Sequence, residues 1–176
     1  MHALIVGANG TGKTTLIRGV LQALQRPVSG FETVKEDAFA DDIHGSPIYI
    51  YEAGEPHRQS PDYLVGYCRD RKASPICGGF DRFARQFRLP ENPDCVIVMD
   101  EIGFLESQSP LFCDLIVSLL DGSRPVIAAV RDKDRPFLNT VRSHPNARCF
   151  VLTPENREAL FWEVLEFMQA QLEERT

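Results

Sequence analysis

Short, unbroken apolar runs alternate along this chain with longer stretches in which apolar residues recur every three or four positions. Ala3–Val6 is the first such run, closed by glycine, as a strand buried on both faces would be. Over Lys13–Leu24 the residues Leu16, Ile17, Val20, Leu21 and Leu24 keep helical spacing, and Pro27 follows the predicted helix end. Val28–Val34 and Ile48–Tyr51 read as further strands, the second alternating and edge-like. Three more apolar strands are predicted over Cys95–Met99, Val126–Val130 and Cys149–Leu152. Helices are predicted over Pro110–Leu120, opened by Ser109 and Pro110, and over Pro136–Ser143. A long last helix is predicted to start at Thr153-Pro154-Glu155, a capping residue followed by proline, and to end near Leu172. Its buried stripe is read as Phe161, Trp162, Leu165 and Met168. The stretch Glu52–Pro93, rich in proline, glycine and charge, is the least regular; one helix near Phe80–Phe87 is predicted there. Strands and helices in alternation predict an α/β fold of three layers, a mostly parallel sheet with helices on both faces. The chain carries no internal repeat or low-complexity segment.

Composition narrows the picture. The chain has 176 residues, enough for a full core, and residues 1–176 are expected to form a single domain. A formal charge of −6 argues against an extended nucleic-acid surface, which needs a surplus of lysine and arginine, although Arg69–Arg88 is a local basic stretch. Five scattered cysteines, with no C-x-x-C pair, suggest neither a disulfide framework nor a zinc site. Cys95, Cys113 and Cys149 lie in apolar runs and are expected as small core residues. The four histidines have no metal-ligand spacing and are expected at the surface or in turns. No apolar run reaches membrane-spanning length and the first strand begins at residue 3, so no membrane segment or signal peptide is expected, and the predicted location is cytoplasmic.

Two segments carry chemistry. Gly7-Ala8-Asn9-Gly10-Thr11-Gly12-Lys13-Thr14 is G-x-x-x-x-G-K-[ST] between a predicted strand and a predicted helix, the context that gives the pattern its meaning. The glycines permit a turn whose backbone N–H groups point inward, forming an anion nest at a positive helix end. Lys13 then reaches the β- and γ-phosphates of a nucleotide, the Thr14 hydroxyl can ligate Mg²⁺, and Thr15 contacts the α-phosphate or continues the helix. The second segment, Cys95–Glu101, is an apolar strand ending in two carboxylates. At that strand end Asp100 is a candidate to hold Mg²⁺ through water, and Glu101 to orient or deprotonate an attacking water. Candidate arginines for transition-state charge are Arg69, Arg71, Arg82, Arg85, Arg131, Arg135 and Arg157. Arg131, which ends a strand on the ligand side of the sheet, stands above the others. Tyr49 and Tyr51 share a strand face and are read as packing residues.

Four stretches resemble the nucleoside-triphosphatase family that includes thermophile enzymes and the human cancer-related nucleoside-triphosphatase. They are Gly7–Thr15 with Leu16-Ile17; Pro27-Val28-Ser29-Gly30-Phe31-Glu32-Thr33; Asp100-Glu101-Ile102-Gly103-Phe104-Leu105-Glu106 with Ser109 and Phe112; and Phe150-Val151-Leu152-Thr153-Pro154-Glu155-Asn156-Arg157. The resemblance implies a RecA-like P-loop domain and slow, broad hydrolysis of nucleoside triphosphates. It also implies phosphate and metal binding by Lys13, Thr14 and Asp100, with Glu101 as base. Asn156 and Arg157 are candidates for the nucleobase pocket, or cap and pair at the helix start. Phe104 stands where the family usually has lysine, and about 35–93 departs from the family pattern, so the chain reads as a divergent member with an insertion-like region there.

Three functions compete. The leading one is a Mg²⁺-dependent nucleoside-triphosphatase acting on ATP, GTP and other nucleotides. The second is a small-molecule or nucleoside kinase, whose acceptor site and lid the stretch Tyr63–Arg88 could supply. The third is a nucleotide-gated interaction protein that meets a protein partner through the 35–93 region.

Overall fold

The computed structural model describes residues 1–173. In chain order the elements are β1 (His2–Gly7), α1 (Lys13–Leu24), β2 (Val28–Lys35), β3 (Ser46–Glu52), β4 (Leu64–Arg69) and β5 (Lys72–Pro75). They continue with α2 (Gly79–Gln86), β6 (Val96–Ile102), α3 (Pro110–Asp121), β7 (Val126–Arg131), α4 (Pro136–Arg142), β8 (Ala147–Val151) and α5 (Arg157–Glu173). All eight strands form one sheet in the order β5-β4-β3-β2-β6-β7-β1-β8. The five strands from β2 to β8 in that order run parallel, while β3, β4 and β5 continue the sheet antiparallel.

The parallel half follows from its unbroken apolar runs. Every residue of β1 is buried, and successive side chains alternate between faces. Leu4 and Val6 join a cluster with Phe31, Phe80, Phe112 and Leu138 beneath α2, α3 and α4. Ala3 and Ile5 join the opposite cluster with Leu16, Ile17 and Val20 of α1 and Val164 and Met168 of α5. Helices on both faces make the predicted three layers. At the centre of the first cluster the Phe31 and Phe112 rings lie 4.8 Å apart, and Phe80 and Phe112 4.9 Å. Where β2 meets β6, Gly30 adopts φ +116°, and a Cβ there would lie 2.0 Å from the Val98 carbonyl oxygen. Only glycine lets these two strands pair at that point.

Residues 46–75, unplaced by the sequence beyond Ile48–Tyr51, form a three-stranded meander. Its β4–β5 turn consists of Asp70 and Arg71, both with positive φ (50° and 63°). That pair of conformations suits a tight hairpin, yet it is disfavoured by roughly 1 kcal/mol or more for a residue such as arginine. Tyr49 and Tyr51 do pack against each other, their rings 5.8 Å apart, and Tyr51 also stacks on His57 at 4.2 Å.

Several expectations need correction. The last helix begins at Arg157, because Thr153–Asn156 form the turn that leads into it. Trp162 is 61% exposed: the buried stripe is Leu160, Val164, Leu165 and Met168, and Trp162 points two residues, or about 200°, away from Leu160. His2 and His144 are buried rather than superficial. His2 Nε2 meets the Leu120 carbonyl at 2.8 Å, and its Nδ1 faces the Val126 N–H at 3.3 Å, so the ring ties three elements together and burial pulls its pKa down. His144 Nε2 meets Asp121 Oδ1 at 3.2 Å. Of the cysteines, Cys95 is buried, Cys113 is half-buried and Cys149 is exposed, since β8 is an edge strand. Among the described residues no helix is long and apolar enough to cross a membrane.

Candidate active site

The turn between β1 and α1 is shaped by glycine. Gly12 takes φ +96° at the position before Lys13, and Gly10 takes φ +74°. The first turn of α1 contains no acidic residue, so its unpaired N–H groups and positive dipole end stay available to an anion. Thr11 Oγ1 donates to the Ala8 carbonyl at 2.9 Å, closing the turn from within. Lys13 is buried, and its Nζ donates to the Gly7 and Ala8 carbonyls at 3.0 and 2.9 Å. Burial lowers its pKa, Glu101 counters this, Arg131 adds to the lowering, and Asp100 opposes it again.

β6 delivers the carboxylates. Although β7 lies between β1 and β6, Thr14 at the start of α1 reaches across it, donating from Oγ1 to Asp100 Oδ1 at 3.1 Å. Asp100 is 6% exposed. Burial pushes its carboxyl up to about 6; the Thr14 hydrogen bond works against this, and nearby Glu101 and Glu32 add to it. A buried carboxylate and a hydroxyl at hydrogen-bonding distance are hard oxygen donors of the kind that Mg²⁺ takes from a protein when nucleotide oxygens and water complete its shell. Among the described residues there is no cluster of three or more His, Cys, Asp or Glu suited to a metal.

Glu101 departs from the strand pattern. The register of β6 against β7 breaks between Asp100 and Ile102, and the Asp100–Glu101 peptide bond is cis. Its Oε1 accepts a hydrogen bond from Arg131 Nε, an ion pair between the C-terminal ends of β6 and β7. Glu106, 4% exposed, accepts from the Gly103 N–H at 2.9 Å and braces the turn after β6. Burial pushes its pKa up to about 7.

Two cavities flank the glycine-rich turn. One, of about 340 Å³, is walled by Gly12, Thr15, Leu16, Arg157, Glu158 and Phe161. Arg157 lies against the turn, with Cζ 3.6 Å from where a Gly12 Cβ would stand. Asn156 does not face it with a free side chain: Oδ1 accepts from Thr153 N at 2.8 Å and Nδ2 donates to the Val151 carbonyl at 2.9 Å. The other cavity, of about 380 Å³, includes Asn9, Glu101 and Arg131 in its wall. The structure thus gathers Gly7–Thr15, Asp100, Glu101, Arg131 and Arg157 at one end of the sheet. Of the other candidate arginines, Arg71 lines this same second cavity, whereas three others are engaged elsewhere. Arg69 donates to the Ile43 carbonyl, Arg82 to those of Pro61 and Asp62, and Arg135 lies over the Phe104 ring at 5.9 Å. Glu158 and Phe161 were not foreseen as cavity residues, although they follow Arg157 at helical spacing that puts all three on one side.

The profile of the NTPase family matches residues 2–165. A protein named nucleoside-triphosphatase THEP1 from Pyrococcus abyssi is 31% identical over 171 residues, covering 94% of this chain and 90% of its own. One of the same name from Thermotoga maritima is 29% identical over 175 residues, covering 96% of each chain. Two solved structures share the fold at 24% identity. The crystal structure of THEP1 from Aquifex aeolicus has a TM-score of 0.66, covering 96% of this chain and 99% of that one. The solution structure of a human cancer-related nucleoside triphosphatase has 0.65, covering 96% and 97%. With its family profile matched over residues 2–165, and with a glycine-rich turn whose threonine is bonded to a buried acid, the chain belongs to the NTPase family.

Proposed function

We propose that this protein is a Mg²⁺-dependent nucleoside-triphosphatase of the cytoplasm that converts ATP, GTP and other nucleoside triphosphates to the diphosphate and phosphate, slowly and with little regard to the base. The observation that carries this reading is the Thr14–Asp100 hydrogen bond at 3.1 Å, with Glu101 the next residue along. The names of the relatives support it as well.

In this reading residues 1–176 work as one domain. The amides of Gly7–Thr14 and the Lys13 ammonium hold the β- and γ-phosphates, with Lys13 exchanging its two carbonyl partners for phosphate oxygens. Thr15 and Arg157 meet the α-phosphate and the nucleoside side of the turn. Thr14 and Asp100 would hold Mg²⁺, which when bound supplies positive charge to the phosphate oxygens. Glu101 orients a water in line with the γ-phosphorus and takes its proton. Arg131, beside it, supplies charge to the phosphoryl group as the bond to the leaving oxygen lengthens. Backbone amides and a lysine read phosphate and are blind to the base, which accounts for the breadth.

Phosphate release from ATP, GTP, CTP and UTP with Mg²⁺, beside a Lys13→Ala control, tests the proposal. Slow release from several nucleotides, lost in the control, is expected. Tight binding with no release from any of them overturns it.

A further inference from the structure

The Arg131 side chain is long and 39% exposed, yet the reaction proposed above needs its guanidinium in one place. Its backbone is well held. The Arg131 carbonyl accepts from Arg142 Nη1 at 3.1 Å and from the Lys133 N–H at 3.0 Å. The next residue, Asp132, donates its N–H to the Gly7 carbonyl at 3.2 Å, which ties the end of β7 to the start of the glycine-rich turn. The side chain is less secure. Its ion-pair partner is Glu101, and in the proposed reaction Glu101 turns to a water at the moment the guanidinium is needed.

A second support comes from the turn after β6. Ile102 pairs with Val130, which brings Gly103 alongside Arg131. A Cβ on Gly103 would stand 3.0 Å from both Cδ and Nε of Arg131, and 3.3 Å from Glu106 Oε2. The arginine stem therefore lies directly on the bare Gly103 backbone, with the Glu106 carboxyl against the same atom. Glu106 fixes that backbone, accepting from the Gly103 N–H at 2.9 Å. It is itself immobilised: its side chain is buried, and its own carbonyl accepts from the Ser109 N–H at 3.3 Å and from the Cys113 thiol at 3.7 Å, at the start of α3. Burial raises the Glu106 pKa, and Arg131 is among the groups that pull it back down, so the two side chains sense each other across Gly103. A carboxyl is costly to bury, and the reaction as described gives this one no part.

We infer that Glu106 is a positioning residue for Arg131: its hydrogen bond to the Gly103 N–H fixes the turn that keeps the guanidinium aimed at the γ-phosphoryl group once Glu101 has released it. The accepting oxygen performs this role and the negative charge does not, so an amide serves in its place. The kinetic consequence rests on the part proposed for Arg131 in hydrolysis, whereas the packing across Gly103 stands apart from it.

The test compares Glu106→Ala, Glu106→Gln and Gly103→Ala in the whole protein, each with and without Arg131→Ala. For phosphate release from ATP with Mg²⁺, Glu106→Ala should lower kcat about 10- to 100-fold, the scale of a slightly misplaced group, with KM little changed. Glu106→Gln should recover most of that loss. Gly103 has none of the left-handed backbone that favours glycine, so Gly103→Ala is expected to fold, to crowd Arg131 directly and to lower kcat likewise; it carries the comparison alone if Glu106→Ala does not fold. In the Arg131→Ala background neither alanine variant should lower kcat further. Equal losses with and without Arg131, or full turnover in Glu106→Ala, overturn the inference. A second readout needs no turnover: hydrogen exchange of the Arg131 Nε–H in the nucleotide-free protein, followed by nitrogen-15 NMR. Faster exchange in Glu106→Ala than in Glu106→Gln is expected, and equal exchange in the two overturns the inference. If wild type releases no phosphate while the exchange rates differ as expected, the hydrolytic reading falls and the positioning of Arg131 stands.

Discussion

Glu101 and Arg131 form an ion pair between the C-terminal ends of two neighbouring strands, so the proposed base and the proposed charge donor are each other's partner when no substrate separates them. Glu101 is 24% exposed and Arg131 39%, which leaves both able to turn toward a nucleotide. Glu101→Gln keeps the shape and removes the basicity. Turnover should fall about 10²- to 10⁴-fold, the usual contribution of a positioned base, with nucleotide affinity retained. Phosphate release and nucleotide titration on the same preparation measure the two effects, and equal turnover in the variant would remove Glu101 from the proposed role.

The Thr14–Asp100 contact predicts a change in metal demand. Asp100→Asn removes the charge from the oxygen pair that would hold Mg²⁺. Half-maximal activity should then need about tenfold or more Mg²⁺, since one charged ligand is lost. A Mg²⁺ titration of turnover at saturating ATP checks this, and an unshifted midpoint would sink the assignment.

Glu106 predicts a pH dependence of stability. Its folded pKa, about 7, lies above the ordinary value of 4.5 because burial favours the neutral acid. The folded state therefore binds more protons between those values, so the contribution is full below about 4.5 and is lost as pH rises through about 7. Glu106→Gln keeps the oxygen that accepts from Gly103 and cannot ionise. Relative to wild type it should gain roughly 3 kcal/mol between pH 4.5 and pH 8. Asp100 titrates in part of the same window, so denaturant melts must be read as the difference between the two proteins. Parallel curves would show that Glu106 is ionised in the folded state.

Gly30 predicts a structural effect without a chemical one. Its missing Cβ is the space occupied by the Val98 carbonyl, and its φ suits glycine alone. Gly30→Ala should cost about 3 kcal/mol or more of stability by forcing β2 away from β6. Urea unfolding monitored by circular dichroism tests it; a loss within a few tenths of a kcal/mol would show that the strands can part locally.

The parallel half of the fold was readable because strands buried on both faces leave an unmistakable run of apolar residues, as Ala3–Val6 and Val126–Val130 do. The meeting of Thr14 with Asp100 was foreshadowed because G-x-x-x-x-G-K-[ST] after one strand and a carboxylate at the end of another are patterns of residue type at fixed places relative to a strand end. The meander was readable only at Ile48–Tyr51 of β3: β4 and β5 are short and half-exposed, and β5 ends at Pro75, so neither alternation nor continuous apolarity marks them. Trp162 was misplaced because aromatic bulk suggests burial, whereas position around the helix decides it. The cavity beside Glu101 was invisible for a different reason. Its wall draws on Asn9, Thr33, Arg71 and Leu105, residues far apart in the chain that only the sheet order brings together.

That sheet order separates two jobs. The strands carrying the phosphate turn and the carboxylates belong to the parallel half, whereas the β4–β5 hairpin with Arg71 sits at the opposite border, three strand pairings beyond β2. Changes of length or charge in that hairpin can therefore accumulate without disturbing the Thr14–Asp100 hydrogen bond. A library randomised at residues 69–73 alone would reshape the cavity wall that Arg71 shares with Glu101 while leaving the glycine-rich turn as it is, so the outer border of this sheet is a place where one wall can be varied by itself.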